Sequence, residues 1–311
     1  MISTLTHAMI VETERRPRQS LRQELSLDPD VQVMIPILRA QTAAPLLDLA
    51  DALVYWHRGA GQVLGLVEIQ SKLGLDLRAA TSERYRSLLQ WISANDYRRR
   101  PRPTARLHVQ VRVAHRVSWA IREAIYENNS NLMVIEWPGL ANRRRHSLSA
   151  VIDDLAGDPP VDLVLMRPDP GLQNPELDAA RVLVAVRSGA NALLALRAGV
   201  ALAAAHRGKL VILHVYDSRN HTGQQDQERA QFRDLVEQVS YQDIEVLERS
   251  AENTTMAILE EACLYPVVVL GAHSGTVRSP ALVTAQMARI VRQLPRTVIL
   301  ARSREPTYQA Y

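Results

Sequence analysis

The sequence predicts an α/β protein with two domains of one fold in tandem, each built on a parallel sheet covered by helices. Three observations predict it. Residues 31–168 and 181–303 each read as five strands alternating with four helices. Most of the strands are short, almost unbroken runs of Val, Ile and Leu, as expected of strands buried on both faces. Strand–helix–strand alternation implies right-handed crossovers between parallel neighbours. The length, 311 residues, is also that of about two average domains.

Residues 1–30 are polar and charged without a sustained period and read as an N-terminal arm, partly helical around Ser20–Leu27. The first repeat opens with the apolar run Val31–Leu38. Leu46, Leu49, Ala50 and Leu53 then fall at helical spacing within Ala43–Trp56. Val63–Ile69 is a second strand, and a helix is expected over Ser82–Ala94. Arg106–Val113 alternates between polar and apolar residues, so it belongs at or near a sheet edge. A helix over Val117–Asn128, a strand over Leu132–Glu136, a helix over Ser147–Leu155 and a strand over Asp162–Arg167 complete the unit. The stretch Pro168–Glu176, with three prolines and a glycine, marks a boundary, and residues 169–180 read as the linker.

The second repeat has strands over Val182–Arg187, Leu210–Tyr216, Ile244–Glu248, Val267–Gly271 and Thr297–Ala301. Its helices are expected over Ala190–His206, Asp226–Val239, Thr254–Cys263 and Pro280–Leu294, the first of them rich in strongly helix-favouring alanine. Residues 304–311 are a C-terminal tail. Aligned by element, Ile37 falls on Val186, Ala120-Ile121 on Ala257-Ile258, and Ile135 on Leu270.

Composition narrows the function classes. Apolar residues make up 47% and aromatics only 5%, with Phe232 the sole phenylalanine, so the cores must be aliphatic. A single cysteine, Cys263, excludes an intramolecular disulfide and a cysteine-based zinc site, and fits a reducing cytoplasm. No apolar run approaches the roughly 18 residues that cross a bilayer, and Met1–Glu12 lacks the features of a signal peptide. The expectation is a cytoplasmic protein without membrane insertion. The net charge of +4 is concentrated in Arg15-Arg16-Pro17-Arg18, Arg98-Arg99-Arg100-Pro101-Arg102 and Arg143-Arg144-Arg145. Such clusters can meet phosphates or anionic lipid heads, but solvated loop faces are the preferred reading, and no specific nucleic-acid partner is expected.

The order of elements over residues 31–303 resembles a tandem universal stress protein. The first half, through Ile35-Pro36-Ile37, Pro45–Ala50 and Leu132–Gly139, is also similar to the universal-stress-type domains attached to some bacterial amino-acid permeases. The resemblance implies doubly wound, five-stranded parallel sheets in the order 3-2-1-4-5, with ligands at the switch point between strands 1 and 4. It also implies packing of the halves through their last strands, making Leu163–Met166 and Val298–Leu300 the interface candidates of a pseudo-dimer, with homodimerisation beyond it plausible. Members of the family that bind ATP end strand 1 in an Asp and run from strand 4 into Gly-x2-Gly-x9-Gly-Ser/Thr, where small residues and a helix N-terminus receive phosphates.

Both halves depart from that pattern. In the first, Leu38 stands at the Asp position, followed by Arg39, and the loop offers Glu136, Trp137, Gly139, Ser149 and Ala150. Glu136 places a carboxylate where a phosphate would approach, which is repulsive in a poorly hydrated site. In the second, Arg187 stands at the Asp position, followed by Ser188 and Gly189, and the loop offers Gly271, His273, Ser274, Gly275, Thr284 and Ala285. Arg187 can meet a phosphate bidentately, so this half is left with the means to hold ATP, AMP, a cyclic dinucleotide or another anion.

Other chemistry is sparse. Gly271-Ala272-His273-Ser274-Gly275 lacks the Gly-x-Ser-x-Gly spacing of a hydrolase elbow. His7, His108, His115, His146, His214 and His221 show no metal-binding spacing. Cys263 reads as a buried structural cysteine rather than a redox sensor. Trp119 and Trp137 bracket the first switch region, and Trp137 is expected to fill an emptied pocket rather than stack on a ligand. The reading is a non-catalytic cytoplasmic stress-response or regulatory module with degenerate ATP sites and no certain cofactor, a transporter being one conceivable protein partner. The alternative is a nucleotide-binding switch in the second half; a weak ATPase is left open.

Overall fold

The computed structural model describes residues 31–39, 42–68, 83, 86, 87, 90, 106–139, 147–169, 171, 177–187, 189–272 and 284–304. The arm, most of the Ser82–Ala94 helix, the three arginine clusters, Ser188 and His273-Ser274-Gly275 lie outside them.

The strands are β1 (Gln32–Ile37), β2 (Ala60–Glu68), β3 (Arg106–Ala114), β4 (Leu132–Glu136), β5 (Asp162–Arg167), β6 (Arg181–Ala185), β7 (Lys209–Asp217), β8 (Ile244–Ala251), β9 (Val267–Gly271) and β10 (Thr297–Arg302). The helices are α1 (Ala43–His57), α2 (Val117–Glu127), α3 (Ser147–Gly157), α4 (Ala190–His206), α5 (Thr222–Glu237), α6 (Thr254–Ala262) and α7 (Ala285–Gln293). All ten strands join one sheet in the order β3-β2-β1-β4-β5-β10-β9-β6-β7-β8. Each half repeats the order 3-2-1-4-5. Every pairing is parallel except the seam, where β5 and β10 run antiparallel in the register Met166↔Ile299, Leu165↔Leu300 and Val164↔Ala301. The expected last-strand interface is therefore a continuation of the sheet.

Because side chains alternate across a strand, β1 sends Val33, Ile35 and Ile37 to one face and Met34 to the other. The first face packs under α1, α4 and the Phe232–Leu235 turn of α5. The second packs under α2, α3, α6 and α7. Both layers run unbroken across the seam, so the halves share their cores. Helix α1 is buried on nearly every side because it packs on the sheet and against α4, which lies beside it on the same face.

The helices α1 and α4 end alike. Arg58 and Arg207 are left-handed C-caps, each with φ 56°. The next residue donates back into the helix, Gly59 N to Val54 O at 3.0 Å and Gly208 N to Ala203 O at 2.8 Å. A Cβ at Gly59 would fall 2.1 Å from Val31 O, and one at Gly208 would fall 2.0 Å from Ala179 O. The chain returns to the sheet so closely that only glycine fits.

Two expectations shift. Helix α5 begins at Thr222 rather than Asp226, because Gln225 ties its first turn to β7 by donating to Asp217 O at 3.2 Å and Asn220 O at 3.0 Å. Cys263 is exposed, not buried: it is the C-cap of α6 and turns to solvent, while Ala262 and Tyr265 take the inward positions. Trp119 is also exposed, on the outer side of α2. The predicted edge is correct, since β3 ends the sheet with Val109 and Val113 partly in solvent. Among the described residues no helix is long and apolar enough to cross a membrane, and no His, Cys, Asp and Glu group could hold a metal.

Candidate functional site

Each half has a switch point where the crossovers leave strands 1 and 4 on opposite sides of the sheet. In the first half β1 and β4 are paired at Val33↔Leu132 and Met34↔Met133, and beyond these the crevice opens. Leu38 packs half-buried on the second apolar layer. Glu136, at the end of β4, does not face an open crevice. Arg39 Nε donates to Glu136 Oε2 at 3.2 Å, and an Arg39 terminal nitrogen donates to Oε1. Thr42, the N-cap residue of α1, donates its hydroxyl to the same carboxylate instead of capping its helix. The Glu136 side chain is 5% exposed and that of Arg39 42%. Partial desolvation moves the Arg39 pKa down, yet a guanidinium has ample range to stay charged. The expected obstacle, a bare carboxylate repelling phosphate, is thus corrected: the charge is compensated, and a three-residue clamp joins β1, α1 and β4.

Around the clamp, the Trp137 side chain is buried in the second layer and fills the core, while its backbone N–H donates to Met166 O at 2.7 Å. Gly139 has φ +76°, and a Cβ there would lie 3.0 Å from Arg167 Cδ. Ser149, in the first turn of α3, is buried.

In the second half β6 and β9 pair from Val182↔Val267 to Ala185↔Leu270. Arg187 is exposed just beyond β6, and Gly189 (φ 93°) is the N-cap of α4. Asn191 does what Thr42 does in the first half. Its Nδ2 donates to Ala272 O at 2.7 Å, and its Oδ1 accepts from Ser303 N at 2.7 Å, tying α4 to the ends of β9 and β10. A Cβ on Gly271 would approach Asn191 O to 3.2 Å, so this glycine is spent on close packing as well as on any ligand. Thr284 caps α7 by accepting from Met287 N at 3.1 Å, and Ala285 opens that helix. The structure brings Gly271 and Asn191 together; Ser188, His273, Ser274 and Gly275 lie outside the described residues.

Sequence reasoning missed Asn191 and the pairing of Arg39 with Glu136. Aligning Ile37 on Val186 does place Thr42 on Asn191, so the repeat held a signal for the former.

Beside Arg187, the end of β7 carries a polar cluster. His214 is buried, with Nδ1 2.8 Å from Val186 O and its ring stacked on Phe232 at 4.8 Å. Burial pushes its pKa down, so the ring is neutral and Nδ1 carries the proton toward the carbonyl. Tyr216 donates to Glu248 Oε2 at 2.9 Å, and its hydroxyl is pushed up to about 12, chiefly by burial. Asp217 is pulled down to about 2 by hydrogen bonds from Arg219, with Arg187 adding to the effect. These groups build a charged rim; nothing in it constitutes a nucleophile with a base.

The fold is shared with solved structures. A universal stress protein from Archaeoglobus fulgidus matches with a TM-score of 0.58 at 18% identity, over 90% of this chain and 98% of that one. A putative universal stress protein from Pseudomonas aeruginosa matches at 0.53 and 14%, over 91% and 95%. The cytoplasmic domain of a prokaryotic cation chloride cotransporter matches at 0.55 and 10%, over 89% and 98%. No family model and no curated protein matches the sequence. At these identities the likeness is one of fold: the chain has the tandem universal-stress-protein architecture.

Proposed function

We propose that the chain is a non-catalytic regulatory module of the stress-response type, acting in the cytoplasm through protein contacts. Residues 31–168 and 181–303 serve as its two domains, with residues 169–180 linking them. One observation carries the reading: the first switch point is clamped by Arg39, Thr42 and Glu136, leaving the position where this architecture takes a nucleotide filled by the protein's own ion pair. A triphosphate entering there must displace a carboxylate from its cation, which is costly in a poorly hydrated site. The likeness to a transporter's cytoplasmic domain makes a transporter one fitting partner, and a homodimer is compatible with the same role.

A second reading is favoured by Arg187. Exposed beyond β6, with Gly271 retained at the end of β9, it leaves the second half able to receive an anion such as ATP, AMP or a cyclic dinucleotide. Ser188, Gly189, His273, Ser274, Gly275, Thr284 and Ala285 would complete that set. Thermal-shift titration separates the two. A ligand at 100-fold excess over Kd stabilises by about 2.7 kcal/mol. The leading reading expects no shift with any of the three nucleotides and no phosphate release. A shift lost in Arg187→Ala establishes the second reading; one that survives that change overturns both.

A further inference from the structure

The outer side of α2 carries two large aromatics one above the other. Trp119 and Tyr126, seven positions apart, lie on the same helical stripe, with Glu123 between them. Trp119 is 62% exposed and Tyr126 86%, the two most exposed aromatic side chains among the described residues. The inward side of the same helix, Val117, Ala120, Ile121, Ala124 and Ile125, is fully committed to the core, so the stripe adds nothing to folding. In a chain whose aromatics are 5% of its residues, placing two of them in water on one stripe is a cost in solubility without a packing return.

The surroundings fix the chemistry of what the stripe meets. Four exposed carboxylates flank it: Glu123 and Glu127 on α2 itself, Asp154 on α3 and Asp158 just beyond it. Two guanidiniums lie among them, and both are engaged and more buried than their partners. Arg112 of β3 meets Glu127 and lies 3.9 Å from Glu123. Arg122 donates to the carbonyls of Asp154 at 3.2 Å and Asp158 at 2.9 Å, with its carboxylate contacts at 3.9 and 3.6 Å. Among the described residues four carboxylates meet three guanidiniums, Arg112, Arg122 and Arg116, which leaves a local excess of one negative charge on a chain whose overall charge is +4. The carboxyl end of α2 has no basic residue in its last turn, so its dipole adds to the negative field. Arg116, at the amino end, is exposed and sits at the Trp119 end. The negative end is that of Tyr126.

We propose that the Trp119–Glu123–Tyr126 stripe of α2 is a docking surface for a basic amphipathic segment of a partner protein, its apolar side covering the rings and its Lys or Arg side chains meeting the carboxylates. Indole and phenol rings combine large apolar area with faces that attract cations, which is why they dominate interface energetics. An acidic partner meets repulsion at the Tyr126 end, and a purely apolar one leaves the carboxylates dehydrated. The proposal deepens the protein-contact reading by naming the partner's chemistry. It fails separately, because nucleotide titration tests that reading without touching α2.

The test is a binding titration of the full chain with two labelled amphipathic helical peptides, one of leucine and lysine, the other of leucine and glutamate, at physiological ionic strength. The lysine peptide is expected to bind and the glutamate peptide not. Trp119→Ser with Tyr126→Ser is expected to weaken binding at least tenfold, and Glu123→Lys with Asp158→Lys likewise, both with the thermal midpoint kept close to that of the parent protein. Equal binding of both peptides, or undiminished binding of the lysine peptide by the serine variant, overturns the proposal. So does a parent dimer that the serine variant converts to monomer, since the stripe is then an interface between copies. Removal of residues 1–30 is the last control: if peptide binding appears only after that removal, the chain's own arm is the occupant and the external partner is refuted.

Discussion

Acid should unfold this protein through one histidine. His57 closes α1 against α4, is 3% exposed, and neither ring nitrogen has a hydrogen-bond partner. Its position at a helix carboxyl end favours protonation by at most about 2 kcal/mol. Burial, reinforced by the charge of Arg197, outweighs this and pushes its pKa down from 6.5 to about 4. The folded-state value lies below the unfolded one, so the unfolded chain gains a proton that the native protein refuses. Stability is therefore complete above about pH 6.5 and falls as the pH drops toward 4, at about 1.4 kcal/mol per pH unit and by about 3 kcal/mol in all. Burial gives His214 a shift of the same sign, so the slope of the parent protein includes its share. Urea unfolding between about pH 7 and pH 4.5, on the parent protein and on His57→Leu, isolates the effect. The variant removes an unpartnered buried polar ring and should gain about 1 kcal/mol at neutral pH. Its acid slope should be shallower than the parent's by most of one proton. Parallel slopes for the two proteins would refute the reasoning.

Two further outcomes follow from the same structure. Arg39→Ala strands a carboxylate that is 5% exposed and should cost about 3 kcal/mol, whereas Glu136→Gln leaves the half-exposed Arg39 free to rehydrate and should cost about 1 kcal/mol; chemical denaturation giving the reverse order would remove the clamp from the account. Gly208→Ala drives a Cβ to 2.0 Å from Ala179 O in backbone that cannot retreat, and a loss above about 3 kcal/mol is expected, while Gly223→Ala in the first turn of α5 meets nothing within 4 Å and should gain about 0.5 kcal/mol in the same assay.

The strands were legible because burial on both faces leaves a local mark. Runs such as Leu132–Glu136 and Val267–Gly271 appear in the structure at the bounds read from sequence. The edge position of β3 was legible in its alternation for the same reason. Helix ends were less so: α5 starts early because Gln225 reaches back to β7, a contact that no residue within the helix announces. Cys263 was misplaced because hydrophobicity averages over a helix end, while exposure depends on the turn that follows it.

The sequence by itself determined the repeated pattern and the element order, since these depend on periodicity and on neighbours a few positions apart. Tertiary structure alone decided that Glu136 faces Arg39 and Thr42, across 97 and 94 positions of chain. It likewise decided that Asn191 holds two strand ends at once, and that the last-strand contact implied by the resemblance is edge-to-edge antiparallel pairing of β5 with β10, which makes one sheet of two. Charge compensation and close approach are properties of distance in space. Strands of five to nine residues brought edge to edge set those distances, and linear spacing carries no record of them.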